Sequence, residues 1–296
     1  MPFSRSSHMR DKKSNVAIVT DSAVAFSAEQ IDELGIFVAR MEITIDGVTL
    51  IDGAKMELSG FYSNLAASES VPTTSAPKPA EYLAQIQQAS EVSNNVLCVT
   101  VSAKLSAAHD AATVGAEMAV DQNPDLNIRV FDSGTAASSQ ALIVSAAARA
   151  ANAGKSLEEV EAKASKVAKN VRLIAMLDTL RFIHRSGRVP KIAFWATSVL
   201  NIKPVMEFSV GKIGGIARPR STKKALSRVR KEMARDLSGK KAHINVIHAD
   251  AYENAESIRD WANQNFDCAE LFVTQFHPFM GAHTGPGLVG ASWWAE

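Results

Sequence analysis

From residue 15 onward, short β-branched and apolar runs alternate with longer Ala-rich segments of helical character. This is the pattern of an α/β protein rather than a sandwich or a bundle. The runs predict strands at 16–20, 36–44, 96–101, 128–131, 172–177, 203–208, 242–248 and 270–274. The segments between them predict helices at 80–93, 105–121, 138–153, 157–170, 180–186, 193–200, 222–237 and 251–264. Pro77 and Pro79 mark one helix start, and Ser156 followed by Glu158 and Glu159 marks another. The stretch EFSVGKIGGIARPR breaks the alternation: Gly211, Gly214 and Gly215 separate two short runs, which predicts a hairpin or bulged turn and a mixed sheet in the second half. No internal repeat or low-complexity linker divides the chain. The pattern therefore implies two lobes. The first, 15–156, carries a mostly parallel sheet, with 272–296 as a candidate to complete it; the second, 157–271, carries a mixed sheet with helices.

Composition adds bounds. At 296 residues with 46% hydrophobic and 21% charged side chains, the chain can bury a substantial core without disulfides and does not resemble a disordered sequence. Lysine and arginine total 32 against 31 aspartate and glutamate, so the overall field advertises neither nucleic acid nor an anionic membrane as a partner, and charge recognition has to be local. Cys98 and Cys268 sit far apart inside apolar runs and read as reduced core thiols, which fits a cytoplasmic location. No stretch makes a continuous apolar span of about 20 residues. The opening 1–14 is polar, has no apolar signal region, contains a Ser-Ser-His-Met that resembles a tag remnant, and is set apart as a tail.

In an open α/β sheet, ligands bind beyond the C-terminal ends of the strands. At those positions this chain repeatedly places hydroxyls and small residues: Thr20-Asp21-Ser22, Thr73-Thr74-Ser75, Ser102 to Ser106, Asp132-Ser133-Gly134-Thr135, and finally Gly281-Ala282-His283-Thr284-Gly285. Each is individually a good helix cap, but their repetition suits a small anionic or polar head group held by several neutral donors, with a histidine and an arginine adding charge. Neither a G-x-S-x-G elbow nor a phosphate-binding P-loop occurs. Ser75 to Lys78 and Ser221 to Lys224 match a Ser-x-x-Lys pattern that arises easily by chance. His243 and His248 fall on opposite faces of a predicted strand and no C-x-x-C is present, so neither a metal nor a cofactor is expected. The basic stretch Arg218 to Lys231 is a solvated helix face or a docking surface for an acidic or phosphorylated partner, and it lacks the interleaved aromatics of a nucleic-acid site.

Taken in order, several of these motifs resemble the DegV family of bacterial fatty-acid-binding proteins. They are Ile18-Val19-Thr20-Asp21-Ser22, Thr74-Ser75-Ala76-Pro77, Ser102-Ala103-Lys104-Leu105-Ser106, Phe131-Asp132-Ser133, LDTLRFIHRSGRVPK, LNIKPVMEF, RPRSTKKAL and GAHTGPGLVG. The sequence departs from the family pattern at Ala23, Ala76, Ala103 and Ala107. The resemblance implies a tunnel between two lobes holding one long-chain fatty acid. Its carboxylate would be bound by Thr74, Ser106, an internal Arg188 and His283, with Ser75, Ser102 and Thr284 close by. Phe26 and the Ala193-Phe194-Trp195 helix would line the tunnel. It further implies a carrier without catalysis of its own. A partner fatty acid kinase would contact Arg220 and make the acyl phosphate for phospholipid synthesis, and a transient membrane-surface contact is left open. The residues alone also admit an enzyme acting on a small acyl or phosphorylated substrate through a strand-exit serine and His283, or a lipid-dependent regulatory sensor.

Overall fold

The structure, a computed structural model, describes residues 14–53, 58–68, 72–189 and 202–296. The expected helix at 193–200, with Ala193, Phe194 and Trp195, lies outside the described residues. The strands are β1 (Ala17–Asp21), β2 (Phe37–Ala39), β3 (Glu42–Ile45), β4 (Val48–Ile51), β5 (Thr73–Ser75), β6 (Asn95–Thr100) and β7 (Asn127–Asp132). They continue as β8 (Arg172–Met176), β9 (Val205–Ser209), β10 (Lys212–Ala217), β11 (Lys241–His248), β12 (Asp267–Gln275) and β13 (Val289–Ala295). The helices are α1 (Ala28–Leu34), α2 (Leu58–Ala67), α3 (Pro79–Ser90), α4 (Ala108–Gln122), α5 (Ala137–Asn152) and α6 (Leu157–Asn170). After them come α7 (Arg181–Arg185), α8 (Thr222–Leu237), α9 (Tyr252–Asn265) and α10 (Pro278–Thr284).

The first sheet is parallel throughout, in the order β2-β1-β6-β7. β1 and nearly all of β6 are buried, because helices cover both faces and leave no side that needs polar residues. The second sheet has the order β10-β9-β8-β13-β11-β12 and is mixed: β11 and β12 run parallel, and every other pair runs antiparallel. The glycine-rich break is the β9–β10 hairpin, turning at Gly211 in the left-handed region and bulged between Gly215 and Ala217. The final strand joins this second sheet and does not complete the first. Its side chains are buried from Val289 to Trp294, and it lies between β8 and β11. Gly290 permits that approach, since a Cβ there would sit 2.5 Å from the Cβ of Ala175.

A third sheet, order β4-β3-β5 and antiparallel, differs from the sequence reading. The single strand expected over 36–44 divides at Arg40 and Met41, so that β2 extends the parallel sheet while β3 starts the small one. Asp46 and Gly47, both left-handed, close the β3–β4 hairpin as the type I′ turn that an Asp-Gly pair favours.

Helix α5 unites the two large sheets. It packs on β1 from one side and on β11 and β13 from the other, and it is buried continuously from Ala137 to Ala148. This explains an uncharged stretch made largely of alanine and serine: small side chains let both sheets close on one shared helix. Its serines still need partners, and Ser138 and Ser139 both bond to the Ser292 hydroxyl of β13, at 2.6 and 2.9 Å. On the opposite face of the second sheet, Arg172 gathers Glu207 at 2.9 Å, Glu232 at 3.4 Å and Asp236 at 2.5 Å, beneath the Trp293 ring. Arg172→Met leaves this group of mostly buried carboxylates with less than its complement of cation. The variant is expected to lose about 3 kcal/mol of stability, read as a lowered urea midpoint with an unchanged slope.

Candidate functional site

The loops after the first sheet, one face of the second sheet, and α10 enclose a cavity of about 270 Å³. Its walls are apolar. Leu173 and Ile247 come from the second sheet, Val101 from a first-sheet loop, Ala137 from the start of α5, and Phe276 and Phe279 from the segment around α10. Beside it lies a chamber of about 350 Å³ that contains Arg185 and shares Thr74, Ser186, Arg188 and His283 with the first. Those four shared residues therefore mark where an apolar interior meets a polar exterior.

Each is placed by a local feature. Thr74 lies at the middle of β5, paired with Ile43, and strand alternation turns its side chain inward. His283 sits on the last turn of α10, whose Gly281 lies against Tyr62; a Cβ there would be 2.6 Å from the Tyr62 hydroxyl. The ring of Phe279, one turn earlier, meets the His283 ring edge-on at 5.4 Å. Arg188 follows the left-handed Gly187 that ends the turn after α7. The imidazole Nε2 of His283 and the Thr74 hydroxyl are 3.1 Å apart, and the Arg188 guanidinium donates to that same hydroxyl at 3.4 Å and to the Ser186 carbonyl at 2.7 Å. Burial, reinforced by the Arg188 charge, pushes the His283 imidazole down from 6.5 to about 4. At neutral pH the cluster thus offers one permanent cation, one neutral imidazole and hydroxyls to whatever enters.

The cavity brings together Thr74, Ser106, Arg188, His283 and Thr284. The Ser106 hydroxyl also accepts from the Ala108 amide at the start of α4, and the Thr284 hydroxyl donates to the Met280 carbonyl within α10. Ser75 and Ser102 fall outside the lining. Ser75 neighbours Thr74 on a strand, so alternation turns it to solvent. The Ser102 hydroxyl accepts from Lys104 N and its amide donates to the Thr135 carbonyl, so it shapes its own loop. Arg188 is exposed at the mouth and not internal, because the turn after α7 carries it to the surface. Phe26 also departs from expectation: it packs in the core beside Phe272. Arg220 is exposed between β10 and α8, and Lys223, Lys224 and Lys231 of α8 are exposed as well.

The sequence profile of the DegV family, described as a family of uncharacterised proteins, matches residues 15–296. The chain belongs to the DegV family. A DegV domain-containing protein of Streptomyces coelicolor is 30% identical over 278 residues, covering 93% of this chain and 97% of its own. The structure of a DegV family protein from Thermus thermophilus, described as binding fatty acid, superimposes with a TM-score of 0.87 at 24% identity, covering 95% of this chain and all of that one. A fatty-acid-binding DegV family protein of Streptococcus agalactiae superimposes with a TM-score of 0.78 at 25% identity, covering 95% and 99% of the two chains. The parallel first sheet and mixed second sheet are those of the family fold.

Sequence reasoning missed Ser186, which lies two residues before Arg188 and whose hydroxyl is committed to the Ile183 carbonyl. It also left the DegV Asp21 without a role. That carboxylate is fully buried and accepts from Val101 N at 2.7 Å, Gln140 Nε2 at 3.1 Å and Ala23 N at 3.2 Å, so it ties the loop leading to Ser102 and Ser106 to both β1 and α5. Burial outweighs those donors and pushes its carboxyl up to about 6. In the ligand-free protein, imidazole NMR is expected to show His283 titrating near 4, and Arg188→Leu should bring that titration back toward 6.5. An unmoved titration in the variant would separate the two side chains.

Proposed function

We propose that this protein binds a single long-chain fatty acid, with the acyl chain in the apolar cavity and the carboxylate at Thr74, Arg188 and His283. The observation that carries the reading is the abutment of an apolar enclosure on that compact set of donors. An acyl chain gains about 0.8 kcal/mol per methylene removed from water, and its carboxylate has to recover several lost hydration bonds at one point. Ser106 lines the same cavity and supplements the head-group donors, Thr284 lines it with its hydroxyl proton committed to the Met280 carbonyl, and Ser75 and Ser102 act at most through their loops. Family members from Thermus thermophilus and Streptococcus agalactiae are described as fatty acid binding, which supports the same ligand class here. The cavity volume, about 270 Å³ before the adjoining chamber is added, is near the lower end for small-molecule sites, about 300 Å³.

In this reading the chain is a cytoplasmic carrier and the phosphoryl chemistry belongs to a partner fatty acid kinase. Among the described residues no carboxylate bonds to the His283 ring, so the base-plus-orienting-acid arrangement that activates a hydroxyl nucleophile is not assembled around it. Exposed Arg220, with Lys223, Lys224 and Lys231 beyond it, supplies a basic face suited to an acidic docking surface on the kinase. The small sheet and the loops after the first sheet contribute the hydroxyl-bearing residues, and the second sheet with α10 contributes the larger apolar wall and His283.

Denaturing the purified protein and analysing released lipid by mass spectrometry is expected to find fatty acid, or uptake of added fatty acid by an empty preparation. A protein that is empty and takes up none contradicts the proposal. His283→Ala should weaken binding about tenfold, the worth of one ordinary hydrogen bond. The pH dependence has a definite sign. His283 is neutral above about 4 when the site is vacant, and an adjacent carboxylate stabilises the imidazolium, so its pKa rises on binding. Binding then takes up a proton, and affinity is greater at pH 6 than at pH 8. Calorimetry in two buffers of different ionisation enthalpy measures that uptake, which His283→Ala should abolish. Arg220→Glu should leave fatty acid affinity unchanged while reducing acyl phosphate formation by the kinase.

A further inference from the structure

The first-strand motif Thr20-Asp21-Ser22 lines neither chamber, yet its last residue begins a chain of bonds that ends at the helix carrying His283. The Ser22 hydroxyl accepts from Met41 N at 3.1 Å, and the Asp52 amide donates to the Met41 carbonyl at 2.8 Å, so both residues hold on to Met41. Asp52, only 1% exposed, follows β4 and accepts from the Phe279 amide of α10 at 3.1 Å across 227 residues. That bond falls at a weak point of the helix. Pro278 has no N–H, and the preceding His277 makes no side-chain cap bond, so Phe279 carries the first amide of α10 that a side chain can cap. Phe279 in turn places its ring against His283 one turn later.

The same three-stranded sheet carries one partner of the site contact and leads into the residue that anchors the helix of the other. β5 carries Thr74, β4 leads into Asp52, and β3 pairs with both strands. Space around the anchor is tight: a Cβ at the left-handed Gly53 would collide with the Arg40 guanidinium, and among the described residues the second Asp52 oxygen and His277 Nδ1 are buried without hydrogen-bond partners. We propose that Asp52 is a positioning residue for His283. It caps α10 from outside the helix and so sets the distance between the imidazole and Thr74. Ser22 supports Asp52 through Met41, whose amide it accepts from and whose carbonyl accepts from Asp52, which gives this residue of the first-strand motif a task at the site.

The test reads His283 itself, in the ligand-free protein, by imidazole NMR; it relies on the proposed lipid function only where affinity is measured. Asp52→Ala is expected to loosen α10, expose the ring to water and move its titration upward by about 1 pH unit. Fatty acid affinity should fall about tenfold. Asp52→Asn keeps an oxygen able to accept from the Phe279 amide and should restore both values. Asp52→Ala combined with His283→Ala should bind no more weakly than His283→Ala alone, since one residue acts through the other. An unchanged His283 titration in Asp52→Ala, or losses that simply add in the double variant, overturns the proposal. Should Asp52→Ala fail to fold, Ser22→Ala is the milder probe, with an upward titration shift supporting the proposal and no shift overturning it. A wild-type protein that binds no fatty acid would sink the lipid reading while leaving the titration result to decide the role of Asp52.

Discussion

The Thr74 hydroxyl meets the His283 imidazole across 209 residues, and the site depends on that contact. It joins an edge strand of the smallest sheet to a seven-residue helix that neither large sheet contains. A carboxylate leaving water for an apolar enclosure needs donors already fixed where its oxygens will lie, because donors that must be ordered on arrival return little net free energy. The small sheet, α10 and the turn that carries Arg188 provide that fixed geometry, and the two large sheets provide the walls. Burial of the imidazole, which holds it neutral in the empty protein, follows from the same enclosure.

The large sheets can meet around one cavity because α5 serves both. A helix clothed in longer side chains would hold them apart, whereas its run of alanine and serine lets β1 and β13 approach from opposite sides. The cost of such closeness is buried polarity, met by specific pairs: Ser138 and Ser139 with Ser292, and Gln140 with Thr20 and Asp21. Asp21 then extends this buried network to the Val101 amide, at the edge of the cavity. The strand-exit loops are therefore braced from beneath by groups that never contact the interior.

Legibility in the sequence followed burial. Strands with both faces covered, such as β1 and β6, read clearly as apolar runs, and the glycines of the β9–β10 hairpin announced a change of strand direction. The small sheet did not, because Val48, Ile51, Thr73 and Ser75 are exposed and its three- and four-residue strands offer no sustained alternation. Without β5 the contrast between inward Thr74 and outward Ser75 is invisible, since the sequence pattern puts both in a loop. The family motifs located His283 and Arg188 along the chain, but the exposure of Arg188 depends on the turn at Gly187, and the burial of Phe26 away from the cavity depends on packing between sheets. Asp52 was least legible of all. Asp52-Gly53 reads as an ordinary turn, and nothing local indicates that its carboxylate reaches the Phe279 amide.

The central claim is that an apolar chain is held at a fixed anionic head-group site. Comparing the affinity of hexadecanoic acid with that of its methyl ester tests it most directly, because the two share an acyl chain and differ in the charge presented to Thr74, Arg188 and His283. The account predicts that the acid binds at least about tenfold more tightly and that His283→Ala erases most of the difference. Equal affinity for acid and ester would contradict it.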